Sequence, residues 1–539
     1  MEHSADSLDL IVIGAGINGT GIARDASIRG LRVLLLDKGD ISSGTTSWST
    51  RLIHGGLRYL EHGELGLVRE SLHEREILLG IAPHLVRPLR LLIPLYRGAR
   101  RGKLTIKAGM LAYDLLSINK SLPGHRMLNR IEALHVAPGL QSKGLTGAAT
   151  YSDAQAEYAE RLAVENSISA AREGAVIKTY SKLDSLIIEN GKLCGVRFTD
   201  LMDGTKHQAF APVVANVSGP WVDEVMAGIE PQQMIGGTKG SHIVVARFEG
   251  APDIALYLEA ESDGRPFFII PWNGLWLIGT TDIRYEGDLD YIRADDDEIQ
   301  YLLNEANRTI PKARLTRESV LYTYSGVRPL PYIADQKESA VTRRHIIHDH
   351  SKDDPALNGL LSIIGGKLTT FRNLAEKVVD LAFEKIHRIP PRSLTGTQPL
   401  PGAAGSVDFS YFATEFRGAC GLPQPIADHL LRVYGVRADE VVKLCKSEPE
   451  LAVPFSEEAG AIGAELVIGV QQEFAKTLTD LLLRRTMAGL GPSLAIGDDL
   501  RASAICRTHL GWNQTRADEE IRNYRTFIQR YRPKSLGEC

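Results

Sequence analysis

The first forty residues contain the feature that most restricts how this chain can fold. Residues 8–13 (LDLIVI) form a short, mainly apolar run with β-branched side chains, which is typical of a buried parallel strand. The turn GAGING (14–19), a helical stretch and a second apolar run that ends at Asp37 follow in order. Strand, helix and strand make a complete βαβ unit, so the sequence predicts an α/β fold built on a parallel sheet.

The glycines of this turn stand where a dinucleotide-binding motif requires them. Gly14 permits the tight turn, Gly16 lets the backbone approach a pyrophosphate, and Gly19 allows the helix to pack closely on the strand. Asp37 ends the second strand, where a carboxylate can accept a hydrogen bond from a ribose hydroxyl. A tight turn without a ligand is the alternative, but strand, helix and acidic residue together favour a nucleotide site.

Later segments favour a flavin over a nicotinamide cofactor. The βαβ unit is followed by a Ser/Thr/Gly-rich loop (42–50) and by IHGG (53–56), instead of further regular βα units. Far downstream, GGKLTT (365–370) places a helix start at the end of a strand, where the helix dipole can face a flavin ring. An ordinary strand–helix turn with packing glycines is the alternative for this last segment.

The remaining patterns predict an α/β protein with an α+β insertion and a helical C-terminal part. We expect a helix around 153–173 and another near 296–309 within an otherwise strand-rich region. The predicted division has three parts: an FAD-binding domain (1–76, 145–225 and 351–394), a mixed β-sheet substrate or cap domain (77–144 and 226–350) and a helical domain (395–539).

Composition excludes several classes of protein. The 62 basic and 66 acidic residues give a net charge of −4, so no global field favours nucleic acid as a partner. The five cysteines are scattered and never form a CxxC pair, which argues against a disulfide framework or a thiolate metal site. The N-terminus lacks an apolar signal core, and no apolar run approaches a membrane span. We therefore expect an intracellular protein that is soluble or peripherally attached to a membrane.

One segment has the composition of a membrane-facing surface. Residues 87–113 contain seven basic residues and no acidic one, interleaved with leucines, isoleucines, Tyr96 and Met110. Such a segment can lie in an anionic lipid interface. A solvated basic loop over a core strand is the alternative interpretation.

Eight segments in one order resemble a known family. They are GAGINGTGIARDA, SSGTTSWSTRLIHGGLRYLE, VSGPWVD, KGSHIVV, IPW, IGTTD, YSGVRPL and IGGKLTTFRNLAE. Together they are similar to the FAD-dependent, membrane-associated glycerol-3-phosphate dehydrogenases, in the flavoprotein superfamily related to D-amino-acid oxidase. The resemblance covers about residues 8–385 and extends loosely to RRT (484–486). Asp37 and Arg51 depart slightly from it, because many relatives carry Glu and some carry Lys at these positions.

This resemblance implies the fold and the reaction. The expected fold has a glutathione-reductase-type, Rossmann-like FAD domain, a mixed β-sheet substrate domain and a helical C-terminal domain. The expected reaction oxidises sn-glycerol 3-phosphate to dihydroxyacetone phosphate, with electrons passing to FAD and then to a membrane quinone, ubiquinone or menaquinone. Relatives imply a homodimer on the cytoplasmic face of the cell membrane, with the cytoplasm as the second choice.

The resemblance also implies the site residues. His242, Arg328 and Lys367 match positions at the reacting end, where His242 is the candidate base and the two cations stabilise the alkoxide and the reduced flavin. Arg58 and Arg343 match positions associated with the substrate phosphate, where guanidinium groups bind bidentately, and Tyr59 is adjacent as a further donor. The expected cofactor-binding residues are Gly14, Gly16, Gly19, Asp37, Thr45, Ser47, Ser49, His54, Gly55, Gly219, Trp221, Gly366, Lys367, Leu368 and Thr369.

Three alternatives stay open at this point. A glycerol-3-phosphate oxidase, which returns electrons to oxygen as peroxide, would have the same substrate site. An enzyme acting on an amino acid would need only one carboxylate clamp, whereas several basic residues suit a phosphate dianion better. A flavoprotein that binds without turnover leaves His242, Arg328 and Lys367 unexplained.

Overall fold

The structure is a computed structural model, and it describes residues 8–60, 63–118, 120–229, 232–333, 344–405 and 408–532. Within these ranges the strands β1 to β21 are Leu10–Ile13, Val33–Leu36, Leu52–Ile53, Val86–Tyr96, Arg126–Asn129, Leu145–Ala156, Val176–Lys178, Ser181–Glu189, Lys192–Asp200, Lys206–Phe210, Val213–Asn216, Thr238–Val245, Ala255–Glu259, Pro266–Trp272, Leu275–Gly279, Ile283–Arg284, Val320–Arg328, Ile346–Asp349, Leu360–Ile364, Pro454–Ser456 and Ala461–Ile462. The helices α1 to α15 are Ile17–Ile28, Leu65–Ile81, Lys103–Leu116, Arg130–Val136, Ala159–Arg172, Val222–Val225, Asp296–Thr309, Phe371–Lys385, Phe409–Ala419, Gln424–Tyr434, Ala438–Ser447, Gly463–Gln472, Leu478–Asp480, Asp498–Leu510 and Gln514–Ile528.

A six-stranded sheet contains the predicted βαβ unit. Its strand order is β18-β19-β11-β1-β2-β7, and every pair is parallel except β18 with β19. Alternate residues of β1 face opposite sides. Leu10 and Val12 pack with helices α1, α5 and α8, whereas Ile11 and Ile13 pack against the small antiparallel sheet β8-β9-β10. Both faces are covered, which is why β1 is apolar throughout.

A ten-stranded mixed sheet forms the second layer. Its main path is β16-β12-β15-β14-β13-β4-β6-β3, with β17 paired to β12 and β5 paired to β6. Helix α7 covers one face through Leu302, Leu303 and Ala306, and the capping box between Asp295 and Glu298 fixes the start of this helix. The opposite face meets the C-terminal helices and a large cavity. The fold therefore has the predicted mixed sheets and helical C-terminal part.

Buried ion pairs join the C-terminal helices to the rest of the molecule. Arg161 of α5 donates two hydrogen bonds to Glu473, at 2.6 and 2.8 Å, and both side chains are fully buried. Asp40, just after β2, accepts hydrogen bonds from Arg484 and Arg485. None of the helices in the described part of the chain is long and apolar enough to span a bilayer.

The structure can be compared with the helices and the basic segment that the sequence predicts. The helix near 296–309 is confirmed as α7. The helix expected around 153–173 begins only at Ala159, because residues up to Ala156 belong to β6 and pair with β4. The basic segment 87–113 is strand β4 followed by helix α3, not one continuous loop. The domain boundaries stay a prediction, and β6 lies in the ten-stranded sheet.

Candidate active site

The first glycine turn connects β1 to α1, and two of its three glycines leave no space for a side chain. Gly14 has a φ of +108°, and a Cβ there would lie 2.6 Å from the carbonyl oxygen of Val217. A Cβ at Gly19 would overlap the carbonyl oxygen of Gly14. The N-cap residue of α1 is Gly16, which has no side chain to satisfy the first amides of the helix. This helix start is suited to an anionic ligand.

Asp37 holds the same turn from the neighbouring strand. One carboxylate oxygen accepts the N–H of Ala15 at 2.6 Å, and the other accepts the N–H of Gly39 at 2.7 Å. Burial raises the pKa of this carboxyl above its usual value. Asp37 also lines the cavity, and its expected contact with a ribose hydroxyl stays a prediction.

The second glycine turn, before α8, meets the first one. Gly365 and Gly366 have φ values of +78° and +101°, so both adopt the left-handed region that favours glycine. Asn18 of α1 donates its Nδ2 to the carbonyl of Gly365 at 3.4 Å, although 347 positions separate the two residues. A Cβ at Gly366 would lie 2.6 Å from the same Nδ2. The Oδ1 of Asn18 is buried and accepts no hydrogen bond within the described residues.

Both turns open into one cavity of about 1730 Å³. Most of the predicted cofactor residues line it, namely Gly14, Gly16, Asp37, Thr45, Ser49, His54, Gly219, Trp221, Gly366, Lys367 and Leu368. The indole N–H of Trp221 is buried and has no hydrogen-bond partner within the described ranges. A groove with glycine backbone at both turns, an acidic residue and spare buried polar atoms fits a dinucleotide such as FAD.

The other four predicted cofactor residues do not line the cavity but contact the loops that form it. Gly19 closes the first turn, as described above. The hydroxyl of Ser47 donates to the carbonyl of Ser42 at 2.6 Å. The N–H of Gly55 donates to the hydroxyl of Tyr113 at 3.1 Å. Thr369 accepts the N–H of His54 at 3.1 Å through its hydroxyl, which joins the IHGG segment to the second glycine turn. These contacts shape the loops around the cofactor groove.

Strands β12 and β17 of the ten-stranded sheet carry two of the three predicted catalytic residues, His242 and Arg328. The two strands pair antiparallel, with His242 opposite Tyr324. The two rings lie 4.8 Å apart between centroids. The imidazole is 1% exposed, and its Nε2 lies 2.9 Å from the hydroxyl of Thr50. Gly279 on the neighbouring strand leaves space for the imidazole, because a Cβ there would overlap the ring.

The environment of His242 keeps its imidazole neutral. Burial, with smaller effects from the guanidinium groups of Arg328 and Arg51, lowers the pKa of His242 to about 3. A neutral imidazole can accept a proton, which an imidazolium cannot. Its Nδ1 is buried and has no hydrogen-bond partner within the described residues. The ring is therefore in the protonation state that a general base needs.

Arg328 ends β17 and faces the same cavity. Its Nη1 donates to Asp282 at 3.0 Å, and its Nη2 donates to the hydroxyl of Thr280 at 3.0 Å. The side chain is 25% exposed, far more than the buried structural arginine Arg51 at 1%. Gly240 on β12 provides the space for the guanidinium, since a Cβ there would overlap it. The hydrogen bond to Asp282 thus orients the Arg328 guanidinium, which borders the cavity.

Lys367 and Tyr59 complete the described part of the reacting end. The Lys367 ammonium lies 3.7 Å from the centroid of the Tyr59 ring, a cation–π contact, and both residues line the cavity. The side chain of Arg58 and the whole of Arg343 lie outside the described residues. Their expected phosphate contacts therefore stay predictions.

Three residues at the site escaped the sequence prediction. Asn18 joins the two glycine turns, Thr50 contacts the imidazole of His242, and Asp282 orients Arg328. A polar residue in the first helical turn of GAGING was a usable signal for Asn18. Thr50 and Asp282 reach their partners across different strands, so no local spacing identifies them.

The fold and the site define an oxidoreductase that binds a dinucleotide. Comparison with protein families agrees: residues 9–371 match the FAD dependent oxidoreductases, and residues 393–517 match the C-terminal domain of alpha-glycerophosphate oxidase. The chain belongs to the family of FAD-dependent oxidoreductases that includes the glycerol-3-phosphate dehydrogenases. FAD is the cofactor of this family, and the groove described above fits it.

Individual relatives extend the similarity over nearly the full length. Glycerol-3-phosphate dehydrogenase from Synechocystis sp. is 47% identical over 546 aligned residues, which cover 98% of this chain and 97% of the relative. D-erythritol 1-phosphate dehydrogenase from Brucella abortus is 38% identical, covering 89% of this chain and 94% of that protein. The crystal structure of glycerol-3-phosphate dehydrogenase from Bacillus halodurans complexed with FAD matches with a TM-score of 0.78 at 29% identity, covering 98% of this chain and 96% of that one.

Proposed function

We propose that this chain oxidises sn-glycerol 3-phosphate to dihydroxyacetone phosphate with FAD and passes the electrons to a respiratory quinone, ubiquinone or menaquinone. The observation that carries the proposal is that His242, Arg328 and Lys367 line the same cavity as the two glycine turns. The names of the Synechocystis and Bacillus relatives support the substrate.

The charges at the reacting end suit a phosphorylated alcohol. A phosphate monoester carries about −1.5 to −2 charges near neutral pH, so it needs more than one cationic partner. Arg328 and Lys367 supply two cations in the cavity, and the Arg58 and Arg343 predictions would add two more. An uncharged polyol such as glycerol offers these cations no phosphate to bind.

The buried imidazole of His242 is the group that accepts the hydroxyl proton of the substrate. His242 is neutral before substrate arrives, so it can accept the hydroxyl proton of a bound secondary alcohol. A phosphate dianion bound nearby raises the pKa of that imidazole while the proton moves. Arg328 and Lys367 stabilise the developing alkoxide. Bound FAD supplies the hydride acceptor.

An anaerobic titration tests the substrate. Adding sn-glycerol 3-phosphate to the purified yellow protein should bleach the flavin absorbance band, whereas glycerol should not. Arg328→Ala should raise the half-saturating concentration at least about tenfold, because a charge-assisted contact is lost. The matched control Arg247→Ala removes a surface arginine paired with Asp253 and should titrate like the wild type. A flavin-replete protein that stays oxidised would reject the substrate.

The Brucella relative defines a second phosphorylated alcohol for the same titration. D-erythritol 1-phosphate carries the same dianion on a longer polyol. Bleaching at a much lower concentration of this compound would change the substrate but keep the reaction class. We expect sn-glycerol 3-phosphate to bleach the flavin at the lower concentration, in line with the higher identity to the Synechocystis relative.

The final electron acceptor needs a separate experiment. The reduced protein is mixed either with oxygen or with a soluble quinone under nitrogen. Fast reoxidation by the quinone and slow reoxidation by oxygen are expected. Fast formation of hydrogen peroxide would instead identify a glycerol-3-phosphate oxidase, the alternative that the same substrate site allows.

Helix α3 supports attachment to the cytoplasmic face of the cell membrane. Leu104, Leu111 and Leu115 lie along one side of this helix and are 83%, 54% and 67% exposed. Lys103 and Lys107 lie on the same exposed surface, as an in-plane lipid-binding helix requires. The helix packs near the 3₁₀ turn Leu57–Leu60, which borders the cavity, so a lipid-soluble quinone would have a short path.

Sedimentation with vesicles tests this attachment. Leu111→Glu should reduce binding to vesicles of phosphatidylethanolamine and phosphatidylglycerol about tenfold, because it places a charge in the lipid interface. Leu500→Glu changes a leucine of similar exposure on α14 and serves as the control. Equal binding by both variants and the wild type would reject α3 as the lipid contact. The homodimer implied by the resemblance is tested by the molar mass in solution.

A further inference from the structure

One end of the cofactor cavity is walled by residues of the C-terminal helices. Seven residues of this part of the chain line the cavity: Thr477, Thr479, Arg484, Glu520, Asn523, Phe527 and Arg530. The predicted cofactor-binding residues all lie before residue 371. The C-terminal contribution therefore needs its own explanation.

The contacts locate this wall at the Asp37 end of the cavity. Arg530 donates its Nη2 to the carbonyl of Asp290 at 2.9 Å. The carboxylate of Asp290 in turn lies 2.8 Å from the ammonium of Lys38, the residue after Asp37. Asp37 is the expected acceptor for the ribose of the nucleotide, so these contacts link Arg530 to the end of the cavity where the adenosine half is expected. The Arg530 guanidinium also lies 5.9 Å from the centroid of the Trp48 ring.

A buried anchor holds the wall in this place. Asp40 accepts the Nε of Arg484 at 2.6 Å and two donors of Arg485 at 2.7 and 2.9 Å. Burial would raise the pKa of Asp40, but the two guanidinium groups outweigh it and hold the pKa below its usual value. Tyr180 adds a hydrogen bond to Asp480 at 2.7 Å and lines the cavity itself. These buried contacts join the loop after β2 to the C-terminal helices at this end.

Phe527 and Arg530 have the chemistry to hold a base. The Arg530 guanidinium lies 4.0 Å from the centroid of the Phe527 ring, so the two form a stacked pair at the cavity wall. The Nε of Arg530 is buried and has no hydrogen-bond partner within the described residues. Aromatic rings and guanidinium planes both stack on the face of a base.

We infer that the C-terminal helices complete the FAD site, with Phe527 and Arg530 contacting the adenosine half of FAD. The anchor of Asp40, Arg484 and Arg485 positions this pair. The helices thereby retain the cofactor, whatever substrate the reacting end oxidises. The inference concerns FAD binding alone and does not depend on the proposed substrate.

Displacement of FAD by riboflavin 5′-phosphate tests this inference on the holoenzyme. This flavin shares the ring and one phosphate with FAD but lacks the second phosphate and the adenosine, so its displacement curve gives the affinity that this AMP half contributes. FAD released from each variant is separated by filtration and quantified. Arg530→Gln should lower the preference for FAD about tenfold, as expected for the loss of one cation–π contact to a base. An unchanged preference would overturn the inference.

Further variants separate this effect from a general loss of stability. Arg522→Gln changes an exposed arginine of α15 that does not line the cavity within the described residues, and it should keep the wild-type preference. Phe527→Leu keeps an apolar side chain but removes the aromatic face, so the preference should fall about fivefold. Asn523→Ala changes an exposed cavity residue and should lower it about twofold. An equal loss of both flavins in these variants would also overturn the inference.

Discussion

The six-stranded and ten-stranded sheets both border the cavity, but they contribute different chemical groups. The six-stranded sheet offers mainly backbone, through the glycine turns at Gly14–Gly19 and Gly365–Gly366. The ten-stranded sheet offers side chains, of which His242 and Arg328 are the clearest. The difference follows from the ligands, because a pyrophosphate is bound by amides and a helix dipole, whereas proton transfer needs a titratable side chain.

This comparison teaches that cofactor binding and turnover fail for different reasons. A side chain added to a glycine turn removes space and therefore the cofactor. A substitution on β12 or β17 leaves that space intact but removes a side chain that takes part in turnover. The predictions below separate the two sheets by measuring FAD content and turnover in the same preparation.

The largest effect is expected at the first glycine turn. Gly19→Ala places a Cβ against the carbonyl oxygen of Gly14, so the turn cannot close and the purified protein should contain almost no FAD. Flavin content per polypeptide, measured by absorbance, checks this. Gly80→Ala is the matched control, because that glycine lies in α2 with open space around its Cβ position. The control should bind FAD normally and gain up to about 1 kcal/mol of stability.

The next largest effect is expected at the imidazole. His242→Asn should retain full FAD content but lower kcat by about 10²- to 10⁴-fold, the usual range for a general base. Stopped-flow flavin reduction measures the chemical step directly. His207→Asn alters an exposed histidine on β10 and should leave the rate unchanged. If the His242→Asn protein also loses FAD, the proposal that the ten-stranded sheet contributes to turnover and not to FAD binding is wrong.

A smaller effect is expected from the residue that orients Arg328. Asp282→Asn weakens a charge-assisted hydrogen bond, so KM for sn-glycerol 3-phosphate should rise about tenfold while FAD content stays constant. Asp253→Asn, which loosens a surface pair with Arg247, is the control. If kcat falls and KM stays constant, Asp282 acts on the chemical step instead of substrate binding.

The smallest effect is a pH dependence of stability. The pKa of His242 is about 3 in the folded chain and near 6.5 when unfolded, so the unfolded chain binds more protons as pH falls below 6.5. The stability is fully present above pH 6.5 and is lost progressively toward pH 3. Between pH 7.5 and 5.5 the loss amounts to about 1.4 kcal/mol. Thermal melts of wild type and His242→Asn should diverge by this amount, and identical slopes would contradict it.

The sequence predicted the parts of the site that depend on neighbours along the chain. The turn at Gly14–Gly19 and the helix start after Gly366 have local signatures in glycine spacing and apolar periodicity. The start of α5 was wrong because pairing between β4 and β6, a contact between distant segments, extends the strand to Ala156. Asp282 and the C-terminal wall were missed for the same reason, since each reaches the cavity through packing that no local pattern encodes.

The meeting of Asn18 with Gly365 has a consequence for how the protein is made. The six-stranded sheet needs β19, so it stays incomplete on the ribosome until more than 360 residues have been synthesised. At about 5–20 residues per second, the gap between the two turns takes roughly 20–70 s to translate. Strand β11 is complete once Asn216 has been synthesised, and from then until β19 is added one edge of this strand is unpaired. Chains released before Gly366 would lack the second glycine turn and should carry no FAD, so flavin colour would report synthesis beyond this turn.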